Sequence, residues 1–338
     1  MGAGVVCFGE MLLRLNAPGR ELLLQSPALQ VHIGGAEANV AVSLARLGHT
    51  ASMVSIVPDS ALGTAVISEL RRHGVHTDHV YRGEGRLGLY FMAAGAGHRP
   101  SEIVYDRAES AFALGAGEYI DWDEALGGAE WLHISGITPA LGTRPAEAAL
   151  HAARGARERG LSVSFDCNYR AKLWESWRGD PARVLHELAD QSDLVFADDR
   201  AVALMLSLKL PDAAPAQRFQ RAAEQAFAAF PNLQRLASTV RTEHSVDHHE
   251  LSAVLMSRER FTATRTYSLP TIVDRIGTGD AFAAGLLHGC LTGLDDQAAL
   301  DFALAAAVLK HSIPGDFNLA TRAHVEELLA DGGFAVRR

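Results

Sequence analysis

Short apolar runs alternate with amphipathic stretches along most of this chain. From Ala36 onward the order is regular: a run that reads as a buried strand, then apolar residues at helical spacing, then another strand-like run. Strands are predicted over 5–8, 51–57, 131–135, 162–166, 194–197 and 233–239, and helices over 37–47, 62–73, 145–159 and 216–230. The stretch 279–291 follows a glycine-rich turn and is apolar on most faces, which predicts a buried helix. Two more helices are predicted over 295–309 and 321–329, the latter with Thr321 as its N-cap. Strands alternating with helices in this manner predict βαβ units and a largely parallel sheet.

Two segments break the rhythm. Residues 12–33 and 86–107 carry strand patterns with no helix between them, and they predict a small β-sheet lid inserted into the α/β body. There is no internal repeat and no low-complexity linker, and 213–216 reads as a surface loop. Residues 1–338 therefore read as one domain with a lid.

Composition narrows the function more than the fold. With 338 residues, 48% hydrophobic and 21% charged, the chain has ample material for a large core. A net charge of -9 argues against a general affinity for nucleic acid or anionic lipid, although arginines inside a cleft still bind an anion locally. Cys7, Cys167 and Cys290 are far apart and form no CxxC pair, so neither a disulfide framework nor a zinc site is expected. Residues 1–9 lack a basic region and their apolar run is too short for a signal peptide. No stretch approaches the ~20 apolar residues of a membrane span. A soluble, cytoplasmic protein is expected.

The densest chemical signal is Asp274-Arg275-Ile276-Gly277-Thr278-Gly279-Asp280, a polar turn running straight into the apolar helix. Gly277 and Gly279 allow backbone conformations and close approaches closed to other residues. The first free amides of the helix then face outward beside the positive end of its dipole, which suits a phosphoryl group in transfer. Asp280, in the first turn, is placed to take a proton from a hydroxyl held against those amides. Alone, the same turn reads equally well as a plain helix N-terminus with a favourable acidic residue.

A second loop adds to it. Gly34-Gly35-Ala36-Glu37-Ala38-Asn39 sets two glycines before a helix and a polar Asn39 inside its first turns, a pattern suited to hydrogen-bonding a polyol. Together, an early GGxxxN element and a late DxxGxGDxF element resemble the two signatures of the ribokinase (phosphofructokinase B type) family of carbohydrate kinases, and the likeness spans essentially the whole chain. The resemblance implies a ribokinase-like three-layer α/β/α sandwich with a mostly parallel central sheet and a small β-sheet lid. It implies Asp280 as catalytic base, Gly277, Thr278 and Gly279 as anion hole, and Gly34, Gly35 and Asn39 as sugar contacts. It also implies ATP with Mg²⁺ as phosphoryl donor, with Thr239, Gly277 and Gly279 beside the nucleotide phosphates, and a homo-oligomer formed through the β-lid.

Two departures stand out. Ser238-Thr239-Val240-Arg241 lacks the glycine-rich continuation that many members carry there. Where many have Asn-x-x-Glu, this chain has Asp198-Asp199-Arg200-Ala201, so Asp198 or Asp199 is the candidate carboxylate toward Mg²⁺, through water. A non-catalytic sugar sensor on the same fold draws its support from that changed motif alone, and the intact GTGD turn speaks against it.

Three arginines lean toward an acid sugar. Arg170, in Asp166-Cys167-Asn168-Tyr169-Arg170, follows a buried strand at the end where α/β sheets bind ligands. Arg107 ends a lid strand on the opposite side, and Arg14 follows the opening Gly9-Glu10-Met11. Arginine pairs with a carboxylate through two parallel hydrogen bonds. A surface ion pair is the plainer reading for each arginine taken singly. The opening GEMLLRL, the run Lys310-His311-Ser312-Ile313-Pro314-Gly315-Asp316-Phe317-Asn318 and Gly88-Leu89-Tyr90-Phe91, with Tyr90 over the substrate, resemble 2-keto-3-deoxygluconate kinases in particular. That resemblance implies ATP-dependent conversion of 2-keto-3-deoxy-D-gluconate to its 6-phosphate, with fructokinase as the alternative.

Other motifs lead nowhere. Gly83-Glu84-Gly85-Arg86-Leu87-Gly88 spells GxGxxG but precedes a strand, the wrong order for a dinucleotide site. His73, His76 and His79, and the pair His248-His249 in a polar stretch, read as solvated residues.

Overall fold

The strand Gly4–Phe8 (β1) is buried on both faces, and that fixes the layering. Val6 and Phe8 enter one apolar cluster, whereas Val5 and Cys7 enter another. Successive side chains on a strand point to opposite faces, so such a run needs helices on both sides of its sheet. The structure, a computed structural model, describes residues 4–210 and 212–330; residues 1–3 of the amino-terminal run considered above lie outside it.

The remaining strands are Leu12–Asn16 (β2), Gln30–Gly34 (β3), Thr50–Pro58 (β4), Val80–Gly83 (β5), Gly88–Ala93 (β6), Glu102–Asp106 (β7) and Ala129–Ser135 (β8). They continue with Ser162–Asp166 (β9), Leu194–Phe196 (β10), Arg235–Glu243 (β11), His249–Ser257 (β12), Phe261–Ala263 (β13) and Tyr267–Leu269 (β14). The main sheet runs β13-β12-β11-β10-β9-β8-β1-β4-β5, with β14 also paired to β12. It is parallel from β11 through to β5 and turns antiparallel at β12. Helices Ala36–Arg46, Thr278–Thr292 and Asp296–Lys310 cover the Val5 face; Thr143–Glu158, Pro181–Asp190 and Pro215–Ala229 cover the Val6 face. This is the expected three-layer α/β/α sandwich.

The predicted strand 233–239 is displaced and extended. It starts at Arg235, runs to Glu243 and returns as β12. Without a glycine after Thr239 nothing ends the strand there, and its ladder reaches the pair Glu243↔His249. The return strand was hidden by its polar start, yet Leu251, Ala253 and Leu255 alternate inward in register. His249 is consequently not solvated as expected: it is fully buried, and neither ring nitrogen has a hydrogen-bond partner among the described residues.

The lid is a separate four-stranded sheet ordered β3-β2-β6-β7. Its inner face carries Leu12, Tyr90 and Met92, packed with Ile103, Tyr105 and Ile276. Its outer face carries a cross-strand row, Val31–Leu15–Phe91–Val104, with Val31 59% and Val104 45% exposed.

Candidate active site

The carboxyl ends of β1, β8, β9, β10 and β11 meet the amino-terminal end of helix Thr278–Thr292. Gly277 opens that helix in the left-handed region, at φ 77°, and a Cβ there would run into the carbonyl oxygen of Asp316. Only glycine fits that conformation and that contact together. Gly279, by contrast, would point a Cβ into open space, the cradle for a ligand held against the helix amides. Asp280 follows in the first turn, 8% exposed, and its Oδ2 accepts a 2.6 Å hydrogen bond from Asn39 Nδ2. Gly35, at φ 146°, brings the helix bearing Asn39 so close that a Cβ would strike the carbonyl of Glu10.

Burial, followed by the charges of Asp166, Glu37 and Asp316, pushes the Asp280 carboxyl up to about 8, against the opposing hydrogen bond from Asn39. Asp166, at the end of β9, rises to about 6, chiefly through burial and against the pull of Arg170. Glu37 is also raised by burial, although Ser135 N and Oγ and Thr138 Oγ1 all donate to its Oε1. A carboxyl titrating near neutral pH is well matched to general-base work.

Two cavities meet at this turn. The first, about 480 Å³, is walled by Gly35, Asn39, Tyr90, Tyr105, Arg107, Asp166, Asn168, Arg170 and Gly277–Gly279 with Asp280, under the lid. Arg107 is held there by a buried ion pair, Nε to Glu10 Oε2 at 2.6 Å. Arg170 lines the same pocket and donates to its neighbour's carbonyl, Tyr169 O, at 3.0 Å. The Tyr90 hydroxyl donates to Asp316 Oδ2 at 3.0 Å. A larger groove, about 990 Å³, runs outside β7 and shares Arg107 and Tyr105, but Asp280 is not on it.

Two sequence-predicted residues do other work. Gly34 does not line the pocket; a Cβ there would collide with the Asp316 carboxylate, so its place is to admit that side chain. Arg14 is 1% exposed and faces away from the sugar: its two terminal nitrogens bind Asp274 at 3.1 and 2.6 Å, and Nε lies 3.0 Å from Asp316. Asp274 in turn accepts from the amides of Ile276 and Gly315. The result is a buried ionic web tying lid strands β2 and β6 to the glycine turn.

The second cavity, about 660 Å³, is lined by Asp166, Ala197, Asp198, Ser238, Thr239, Arg241, Gly279 and Phe282 among others. Thr239 lines this cavity together with Gly279. Of the two candidate metal carboxylates only Asp198 reaches the groove, while also capping the following helix through Ala201 N at 2.8 Å. Asp199 is corrected: its Oδ2 accepts from Arg218 Nε at 2.7 Å, and it does not line the groove. No cluster of three ligating side chains occurs among the described residues.

Sequence motifs did not assign Glu10, Glu37, Arg241 or Asp316 to the site, nor Lys310, whose Nζ donates to Ile313 O at 2.9 Å outside both cavities. Glu37 sits inside the GGxxxN element, and Asp316 and Lys310 inside the quoted carboxyl-terminal run. Their positions were visible; the pairing across the fold was not.

Geometry of this kind suits moving a phosphoryl group onto a small polyhydroxy acceptor enclosed beneath a lid, and that is the class of protein the fold and site define. The chain belongs to the pfkB family of carbohydrate kinases, whose family model matches residues 3–318. It is 31% identical over 346 residues to the 2-dehydro-3-deoxygalactonokinase of Haloferax volcanii, covering 100% of both chains. It is 29% identical to the 2-dehydro-3-deoxygluconokinase of Bacillus subtilis, covering 98% of this chain and 96% of that one. The crystal structure of 2-dehydro-3-deoxygluconokinase from Thermotoga maritima superimposes with a TM-score of 0.90 at 37% identity, over 96% of this chain and 99% of that one.

Proposed function

We propose that the chain transfers the terminal phosphoryl group of ATP to the 6-hydroxyl of a 2-keto-3-deoxy sugar acid, with 2-keto-3-deoxy-D-gluconate as its substrate. The observation that carries this reading is the pair Arg107 and Arg170 on the pocket that holds Asp280. A carboxylate entering there meets two guanidinium groups, one of them fixed by Glu10. The relatives named above act on sugars of this kind by name, which supports the same reading.

In this mechanism Asn39 orients Asp280, whose Oδ takes the proton of the attacking hydroxyl. The sugar oxygen bonds to the γ-phosphorus as the bond from that phosphorus to the β-phosphate oxygen breaks, and ADP leaves with the electron pair. The amides at Gly277, Thr278 and Gly279 stabilise charge on the moving group. Asp198 would help hold Mg²⁺ at this groove, and the ion would supply charge neutralisation at the phosphates. Thr239 flanks the phosphates. We also assign the whole chain to one catalytic unit in the cytoplasm. Its lid pairs with a second copy through the Val31–Leu15–Phe91–Val104 row, an exposed apolar strip of the sort that marks an interface.

The test is kcat/KM for 2-keto-3-deoxygluconate, its galacto epimer and fructose in the parent, Arg107→Ala and Arg170→Ala. Losing one charged hydrogen-bonding partner costs about 1.5–3 kcal/mol, or about ten- to a hundred-fold. That loss is expected for the acids and not for fructose, which has no charge to meet. A parent that prefers fructose, or equal losses on all sugars, makes this a fructokinase instead.

A further inference from the structure

We infer that Arg241 is a catalytic residue, a guanidinium on a fixed strand that clamps the phosphoryl group as it passes from nucleotide to sugar. The inference rests on ATP being the donor, as proposed above, but not on which sugar accepts.

Thr239 and Arg241 are two apart in β11 and so project from the same face. Thr239 lines the nucleotide groove alone, whereas Arg241 lines both that groove and the sugar pocket. The other residues common to the two cavities are Asp166, Asn168, Arg170 and Gly279, which together mark the passage between them. A phosphoryl group travelling from ATP to a hydroxyl beside Asp280 crosses that passage.

Four arginines line the sugar pocket: Arg107, Arg170, Arg241 and Arg275. Arg107 is tied to Glu10, Arg170 to Tyr169 O, and Arg275 to Glu243 at 2.8 Å. The Arg241 side chain alone among them has no hydrogen bond or ion pair among the described residues. Desolvation and then the neighbouring Arg275 pull its pKa below the ordinary arginine value, against the opposing pull of Glu243, and the side chain is solvent-exposed and so open to an anion. Its backbone is not free to drift, since Arg241 is paired with Leu251 within the β11–β12 ladder, which continues for two more pairs to Glu243↔His249. Where many members have a glycine-rich continuation, the strand here carries on by a few residues and brings a cation to the passage between the two cavities.

A guanidinium so placed acts on charge that spreads over the phosphoryl oxygens and the departing β-phosphate oxygen, and such arginines are worth ~10³-fold or more in turnover. The experiment compares the parent with Arg241→Lys and Arg241→Ala on whichever sugar the parent phosphorylates. ADP affinity by calorimetry serves as the check that each variant retains its nucleotide site. The expected result is a fall in kcat of ~10²–10³ in Arg241→Ala, with ADP affinity and sugar KM within about three-fold. Arg241→Lys should retain more turnover, and added guanidinium ion should restore part of the activity of Arg241→Ala. A kcat within about three-fold of the parent overturns the proposal. So does a rise confined to sugar KM, which would assign Arg241 to the sugar instead. A parent that prefers fructose defeats the acid-sugar reading and leaves this test standing.

Discussion

Asn39 and Asp280, 241 positions apart, share a 2.6 Å hydrogen bond in which the amide nitrogen donates to the carboxylate. An amide that donates to one oxygen leaves the other free to face a substrate hydroxyl, and it stops the carboxyl from turning away. The two signature loops therefore act as one device, joined at their tips.

The first prediction concerns the base. Asp280→Asn should lower kcat by ~10²–10⁴ while sugar and ATP binding survive. Because the carboxyl of the free enzyme titrates at about 8 and works deprotonated, kcat/KM of the parent should rise with pH through neutrality and level off above that value. A kcat/KM independent of pH between 6 and 9, about three orders of magnitude in proton activity that span that pKa, would remove Asp280 from the role.

The same group leaves a mark on stability. Its folded pKa lies above its unfolded value, so the folded chain holds this proton more tightly. The stabilisation is fully present below the unfolded pKa near 3.8 and is lost as pH rises through about 8. Melting temperatures of Asp280→Asn and parent should therefore diverge with rising pH, the variant becoming the more stable of the two. A constant difference from pH 5 to pH 9 would contradict the raised pKa.

Metal use should depend on one aspartate of the adjacent pair. Asp198→Asn keeps an acceptor for Ala201 N and so preserves the helix cap. It should raise the Mg²⁺ concentration for half-maximal rate, whereas Asp199→Asn should leave the titration unchanged and weaken only the contact with Arg218. Equal shifts in both variants would mean that the carboxylate works at long range.

The outer face of the lid gives a prediction about assembly. Placing charge in the apolar row, as Val31→Lys together with Val104→Lys, should shift the particle to a monomer in light scattering while leaving the melting temperature close to the parent's. Both side chains are already solvent-exposed, so the fold does not need them apolar. An unchanged particle mass would place any self-association elsewhere.

The layered fold was legible because its strands announce themselves by apolar runs and its helices by periodicity; the observed buried helix Thr278–Thr292 differs by one residue at each end from the predicted 279–291. The hairpin β11–β12 was not, since its return strand begins with His249 and Glu250, polar residues that suggest a turn until the inward alternation of Leu251, Ala253 and Leu255 is placed against a partner strand. Asp280, the glycine turn and Asn39 were legible as local signatures. Arg14 was misread for a physical reason: local sequence shows that a cation is present, but its carboxylate partners Asp274 and Asp316 lie hundreds of positions downstream. Asp199 was ambiguous in the same way, being decided by Arg218 on the next helix.

That web of Arg14, Asp274, Asp316 and Tyr90 has a mechanical corollary. Separating its ions in a dry interior without water to replace them is costly, so breaking a buried pair typically costs about 3–5 kcal/mol. The roots of β2 and β6 therefore move with the catalytic turn as one body, and the buried Arg107–Glu10 pair likewise anchors the end of β7. The floor of the sugar pocket is set when the chain folds, and a sugar arriving there has little left to organise beneath it.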